Sequence, residues 1–362
     1  MIEGQAITRT FAARRGMLGR RGVRALRGVD FTIPDRGAVS LIGESGCGKT
    51  TLGRILCGFE DFDGGDLIVA GQSMAGLKRS QRVPYHRRIQ MIHQDPYSAL
   101  NPTRTIGQVL ADPLALRARQ LGAGRSWLEQ RRTELLGLVG LDPDYVLPRY
   151  PHMLSGGMRQ RVVIARALTV DPDVLVADEA VSMIDVSLRL GILQLLRELR
   201  HTAGVSVLFI THDVATARYV GHGGQLYVIY RGTVVEQGDT DTVIQNPAHP
   251  YTQCLLSAIP VLRGIEFPGP ERVVPTGPLD ERSEPPGCLF EPRCPFAEED
   301  CRAAPPGLAR LGGAERHGGL AVPPGQHRGG FRGVVPPGQQ LHACLHPARR
   351  SVVAVPARPG TT

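Results

Sequence analysis

What this sequence has little of narrows it first. No apolar run approaches the ~20 residues that a membrane-spanning helix needs. The longest, such as "GVSVLFI" at 204–210, are strand-sized. No charged-then-apolar leader opens the chain, so neither secretion nor unaided membrane insertion is expected. Lysine is nearly absent: of 42 basic residues only Lys49 and Lys78 are lysines. The net charge of +8 therefore reads as arginine-biased composition, and no nucleic-acid partner is expected. The one local cluster, Arg14, Arg15, Arg20, Arg21, Arg24 and Arg27, has no acid within it and reads as a solvated loop. Cysteines number seven, an odd count that argues against a secreted disulfide framework. Cys47, Cys57 and Cys254 fall in helical or phosphate-loop contexts and read as small apolar fillers. There is no internal repeat and no heptad run.

What is present is an alternation of short apolar runs with helical patterns over residues 1–260, the mark of an α/β domain. "AVSLIG" (38–43), "VLVAD" (174–178) and "VSVLFITHD" (205–213) are continuous apolar strands of the kind buried in a mixed or parallel sheet. Residues 125–140 and 156–169 read as helices. After "HPYTQCLLSAIP" (249–260) the composition shifts, and the last 102 residues hold 17 of the 29 prolines. Residues 261–362 are therefore expected to be a loop-built, Pro/Gly-rich appendage without long regular elements.

"GESGCGKT" (43–50) matches G-x-x-x-x-G-K-[ST] between a strand and a helix. Gly43, Gly46 and Gly48 let backbone amides close around phosphate oxygens, and Ser45, Cys47 and Thr51 complete the nucleotide-contacting loop. Lys49 supplies a point charge to the β- and γ-phosphates, and Thr50 offers a hydroxyl to Mg2+. The expected ligand is ATP. "DVLVADE" (173–179) ends an apolar strand in two acids: Asp178 can hold the magnesium shell and Glu179 can polarise an attacking water. "FITHD" places His212 at the end of a further strand. "LSGGMRQR" (154–161) is a turn into a helix with Ser155 as N-cap, a start suited to anion binding.

Together these motifs resemble the ATP-binding cassette family, in its chain order of phosphate loop (43–50), glutamine loop (Gln94), signature (154–158), carboxylate strand (174–179), D-loop (182–185) and switch histidine (His212). The resemblance implies a phosphate-loop α/β fold: a RecA-like core, an antiparallel β-subdomain and a helical subdomain. It implies an ATPase in which Glu179, Gln94 and His212 are catalytic, and Gln94 contacts Mg2+ alongside Thr50 and Asp178. Two cassettes would sandwich each ATP, so Ser155, Gly156, Gly157 and the D-loop's Asp185 would serve at the dimer seam. Phe11 is the candidate for stacking on adenine, with a core aromatic as the other reading. "HQDPYSALNP" (93–102) and "NPAHPYTQCLLSAIP" (246–260) further resemble the ATP-binding subunits of dipeptide and oligopeptide importers. That branch implies two permease subunits, a second cassette subunit, an extracellular substrate-binding protein, and a peripheral place at the cytoplasmic face of the membrane. Nickel- or glutathione-type importers share the same style, and a non-transport cassette with a zinc-binding tail is a further alternative. One stretch departs: residues 179–185 read "EAVSMID" where such importers usually carry Glu-Pro-Thr-Ser-Ala-Leu-Asp, which favours pairing with a different subunit.

Four cysteines remain, Cys288, Cys294, Cys301 and Cys344, separated by five, six and 42 residues. A proline-rich segment offers little core to fill, and stable disulfides are disfavoured in a reducing compartment. Zinc sites usually show ligand pairs about two to four residues apart, whereas wider spacing suits an iron–sulfur cubane. The pattern also resembles the C-terminal region of dipeptide-importer ATPases, some of which carry a 4Fe-4S cluster. A 4Fe-4S cluster is expected, with zinc as the alternative.

Overall fold

The three continuous apolar runs form the centre of an eight-stranded sheet. In the computed structural model the described residues are 1–12, 22–258, 273–277, 284–310, 339–344 and 347. The strands in chain order are β1 (Ile2–Phe11), β2 (Val23–Ile33), β3 (Ala38–Ile42), β4 (Gly64–Val69), β5 (Gln72–Ser73), β6 (Ile89–Ile92), β7 (Val174–Asp178), β8 (Ser206–Thr211), β9 (Gln225–Tyr230), β10 (Thr233–Asp239), β11 (Ala309–Arg310) and β12 (Gln340–His342). The large sheet runs β11-β12-β10-β9-β3-β8-β7-β6, parallel from β9 to β6 and antiparallel beyond β9. Every residue of β3, β7 and β8 is buried, as expected of strands covered on both faces.

A second sheet, β2-β1-β4-β5, is wholly antiparallel. Its apolar face packs over the phosphate-loop helix and one face of the parallel sheet, through Ile7, Val29, Ile33 and Leu67 against Leu52, Ile55, Val176 and Ile210. On the opposite side the helices Ile106–Leu121, Arg125–Leu138 and Gly156–Leu168 share a core with β7 and with the helix Val186–Thr202. The first of these helices opens on a capping box from Thr105 and Gln108, which satisfies two otherwise orphaned backbone donors.

Beyond residue 258 the described chain has only two 3₁₀ turns and two short strands. One of those strands, β12, is nonetheless joined to the large sheet by pairing with β10. A buried carboxylate organises that junction. Glu236 on β10 accepts from the amides of Ala248 and His249 at 2.8 and 3.0 Å and from the Gln340 side chain. Burial pushes its pKa up to about 7, against the lowering effect of those hydrogen bonds.

The arginine cluster needs one correction. Arg14, Arg15, Arg20 and Arg21 lie outside the described residues, and Arg24 is exposed. Arg27, however, is not a solvated loop residue: it pairs with Glu284 at 2.7 Å. Its acid arrives from the far C-terminal region, where a local count of charges cannot find it.

Candidate active site

The phosphate loop leaves the end of β3, an inner strand of the parallel sheet flanked by β8 and β9, at the edge where α/β folds gather ligands. Two glycines have no substitute here. Gly43 has φ +156 and an added Cβ would lie 2.2 Å from the Ile229 carbonyl oxygen; Gly48 has φ +107, and its Cβ would lie 2.4 Å from the Ala25 oxygen. Lys49 is buried, and its ammonium donates to the carbonyls of Gly43 and Glu44 at 2.8 and 2.9 Å. It also lies 3.6 Å from the Cys47 sulfur. The helix Lys49–Leu56 begins at this lysine.

Strand β7 brings the acids to the same end of the sheet. Asp178 is buried and accepts from the Thr50 hydroxyl at 3.2 Å. Burial holds its carboxyl above the usual carboxylate range; the Thr50 hydrogen bond opposes this and the Glu179 charge adds to it. Glu179 turns away into the left-handed region at φ +48. Its amide donates to the Ile210 carbonyl at 2.9 Å, and its own carbonyl accepts the Ser182 hydroxyl at 2.9 Å. The side chain therefore points to a place set by backbone contacts on both sides. There, Oε1 lies 2.9 Å from Nδ1 of His212, and Oε2 accepts from Gln94 at 3.4 Å. Gln94, Glu179 and His212 thus meet in one hydrogen-bonded set, beside the Thr50–Asp178 pair. Such a set can orient a water, receive its proton and hold the receiving carboxylate in place.

The remaining site residues are placed apart from this set. Ser155 caps the helix Gly156–Leu168, accepting from the Met158 amide at 3.3 Å. Gly156 has open space around it and Gly157 backs on Leu188. Asp185 precedes the helix Val186–Thr202 and is exposed. Of the departing D-loop residues, Ala180, Val181 and Ile184 are buried in the core, while Met183 is 60% exposed. Phe11 ends β1 with the Arg9 guanidinium over its ring at 4.9 Å. Cys47, Cys57 and Cys254 are buried within apolar clusters.

The four C-terminal cysteines line one cavity, together with His249, Pro250, Phe290 and Phe296. The Cys288 amide donates to the Cys301 carbonyl at 2.8 Å, which ties two of their turns together. Burial raises the thiol pKa of Cys288 and Cys301 and pushes that of Cys294 up to about 11. Among the described residues no three His, Cys, Asp or Glu side chains form a group that could hold a metal ion. Sequence reasoning missed two contributors to the site's surroundings, Arg293 and Tyr251, which reach the phosphate loop from the C-terminal region.

Comparison with known proteins agrees with this geometry. The family described as ABC transporter matches residues 26–182, and the one described as oligopeptide/dipeptide transporter, C-terminal region, matches 235–301. The probable peptide ABC transporter ATP-binding protein y4tS of Sinorhizobium fredii is 41% identical over 300 residues, covering 80% of each chain. The dipeptide transport ATP-binding protein DppF of Escherichia coli is 39% identical over 320 residues, covering 86% of this chain and 92% of that protein. The oligopeptide transport ATP-binding protein AppF of Bacillus subtilis is 36% identical, over 83% of this chain and 91% of its own. Among solved structures, the ATP-binding cassette MJ0796, dimeric and bound to ADP and Pi after hydrolysis, aligns with TM-score 0.57 and 27% identity, over 66% of this chain and 99% of that one. With the loop, the paired acids, the glutamine and the histidine assembled at one end of a cassette fold, the chain belongs to the ATP-binding proteins of the ABC transporter family, in the branch that carries the oligopeptide/dipeptide C-terminal region.

Proposed function

We propose that this chain is the ATP-hydrolysing subunit of a peptide importer, seated at the cytoplasmic face of the membrane on two permease subunits that an extracellular substrate-binding protein supplies. The observation that carries the reading is the Gln94–Glu179–His212 set beside the Lys49 loop, in a chain about 40% identical to peptide-transport ATP-binding proteins. No helix among the described residues is long and apolar enough to cross a membrane, and this reading assigns the pore to the permease subunits.

Lys49 and the loop around it (Gly43, Ser45, Gly46, Cys47, Gly48, Thr50 and Thr51) hold the phosphates of ATP. Thr50, Asp178 and Gln94 hold Mg2+, which when bound neutralises charge on the β- and γ-phosphates. Glu179 takes the proton of the attacking water, while His212 and Gln94 fix its carboxylate. Ser155, Gly156, Gly157 and Asp185 face the nucleotide of a second cassette, and Phe11 stacks on adenine. Pairing with a different cassette subunit is favoured, because exposed Met183 changes the seam while the other D-loop replacements are internal. Residues 1–260 form the ATPase unit, and 261–362 its cysteine-bearing extension.

The four thiols fit a 4Fe-4S cluster better than one zinc ion. They line a common cavity, and their spacing along the chain is wider than zinc-ligand pairs usually show. Bound there, the cluster would cross-link the turns that carry Cys288, Cys294 and Cys301 to the end of β12 near Cys344.

Reconstitution with its permeases and a second cassette tests the reading. Peptide-loaded binding protein should stimulate Mg2+-dependent hydrolysis. Stimulation by nickel or glutathione alone would reassign the cargo, and full-rate hydrolysis by a strict monomer would end the paired scheme. Anaerobic purification should give a brown protein with about four irons per chain; a colourless one with a single zinc overturns the cluster.

A further inference from the structure

The C-terminal region grips the phosphate loop from outside the nucleotide site. Glu44, the second residue of that loop, is held at three points. Its carbonyl accepts the Lys49 ammonium at 2.9 Å, and its amide donates to the Tyr251 hydroxyl at 2.8 Å. Its carboxylate accepts from both terminal nitrogens of the Arg293 guanidinium at 3.0–3.2 Å. Position 44 is one that the phosphate-loop pattern leaves unspecified, so the use of this acid is identified by its partner. Arg293 immediately precedes Cys294, and its amide donates to the Phe290 carbonyl at 2.9 Å. Phe290 stands edge-on to Tyr230 and Tyr251 at 5.3 and 5.5 Å and lines the cysteine cavity. Packed groups therefore run without a break from the cavity wall to Lys49.

We propose that Arg293 and Tyr251 are positioning residues for the phosphate loop, and that through Glu44 the packing of the four-cysteine cavity sets nucleotide affinity. The Arg293 side chain is 12% exposed and that of Glu44 32% exposed, so the pair is two-pronged and shielded from most of the water that would weaken it. Without the guanidinium, the Glu44 carboxylate is drawn into solvent, and the carbonyl that seats Lys49 loses its fixed position. Coupling of this kind is reciprocal: whatever ATP gains from an ordered cavity, the cavity gains from ATP. The inference depends on where these residues sit and not on what fills the cavity, so iron analysis and the experiment below fail independently.

Equilibrium binding of mant-ATP with Mg2+ to the full chain reads the coupling. Arg293→Ala should weaken binding about tenfold, the worth of one charge-assisted hydrogen bond. Arg293→Lys should recover part of this, keeping the charge but losing the two-pronged geometry. Glu44→Gln should match Arg293→Ala, and the double variant should be no weaker than the weaker single. Additive losses, or unchanged affinity in Arg293→Ala, overturn the proposal. Should Arg293→Ala fail to fold, Tyr251→Phe removes only a hydroxyl, and wild-type affinity in that variant is equally fatal. The reciprocal arm is iodoacetamide labelling of Cys294 in the chelator-treated full chain, followed by mass spectrometry. AMP-PNP should slow it in the wild type but not in Arg293→Ala; equal rates with and without nucleotide in the wild type refute the coupling.

Discussion

Replacing Glu179 by glutamine separates the charge of the proposed base from its geometry. The backbone at 179 is held by the Ile210 carbonyl and the Ser182 hydroxyl, neither of which touches the substituted group. The two side-chain contacts survive as well. The new amide oxygen can accept from Gln94, and the new amide NH2 can donate to Nδ1 of His212 in its Nε2–H tautomer, at the sites now 3.4 and 2.9 Å apart. What disappears is the carboxylate that would receive the proton of the attacking water. Loss of a positioned base costs about 10²- to 10⁴-fold in turnover, roughly 3–5 kcal/mol of barrier. Because the lost interaction belongs to the transition state, mant-ATP affinity should stay within about twofold of wild type. Single-turnover hydrolysis in the assembled complex measures the first quantity, and gel filtration in ATP should show a closed dimer that persists. Turnover within about threefold of wild type, in a variant that binds ATP normally, would refute Glu179 as the base.

Three further outcomes follow from the same geometry. Lys49→Ala should lose triphosphate affinity, because a desolvated phosphate charge loses its partner, and titration with mant-ATP and mant-ADP should show the larger loss for the triphosphate. Gly48→Ala would force a Cβ to 2.4 Å from the Ala25 oxygen at φ +107, so thermal melting should show a loss of about 2–3 kcal/mol and nucleotide binding should collapse with it. Glu236→Gln tests the buried carboxylate that docks β12. A folded pKa of about 7 lies above the usual carboxylate value, so the folded state holds the extra proton in between. That contribution is complete below the unfolded pKa and is lost as pH rises through about 7, amounting to roughly 3 kcal/mol. Urea unfolding should show the stability advantage of wild type over Glu236→Gln shrinking between pH 4.5 and 8; a constant gap would mean that Glu236 stays in one protonation state.

The parts legible in the sequence were those whose cause is local. β3, β7 and β8 announce themselves because strands buried on both faces read as near-continuous apolar runs, and the loop after β3 because Gly43 and Gly48 occupy backbone conformations closed to other residues. The cysteines were legible only in part: they do line one cavity, but Cys288 and Cys294 also pack against the apolar cluster around Phe290, a core that the proline-rich composition concealed. What stayed hidden depends on where distant chain returns. Arg27 reads as unpaired because Glu284 lies 257 residues away, and the phosphate-loop pattern gives Glu44 no role because its partner Arg293 lies 249 residues away. The D-loop shows the same limit from the other side. Of its four replaced residues, Ala180, Val181 and Ile184 turn inward and Met183 alone is exposed, a division that the letters do not show. Motifs report which atoms a site needs. Only the packed chain reports that the cysteine region and the phosphate loop are fastened to each other, and that fastening is where the C-terminal region acquires a means to act on ATP.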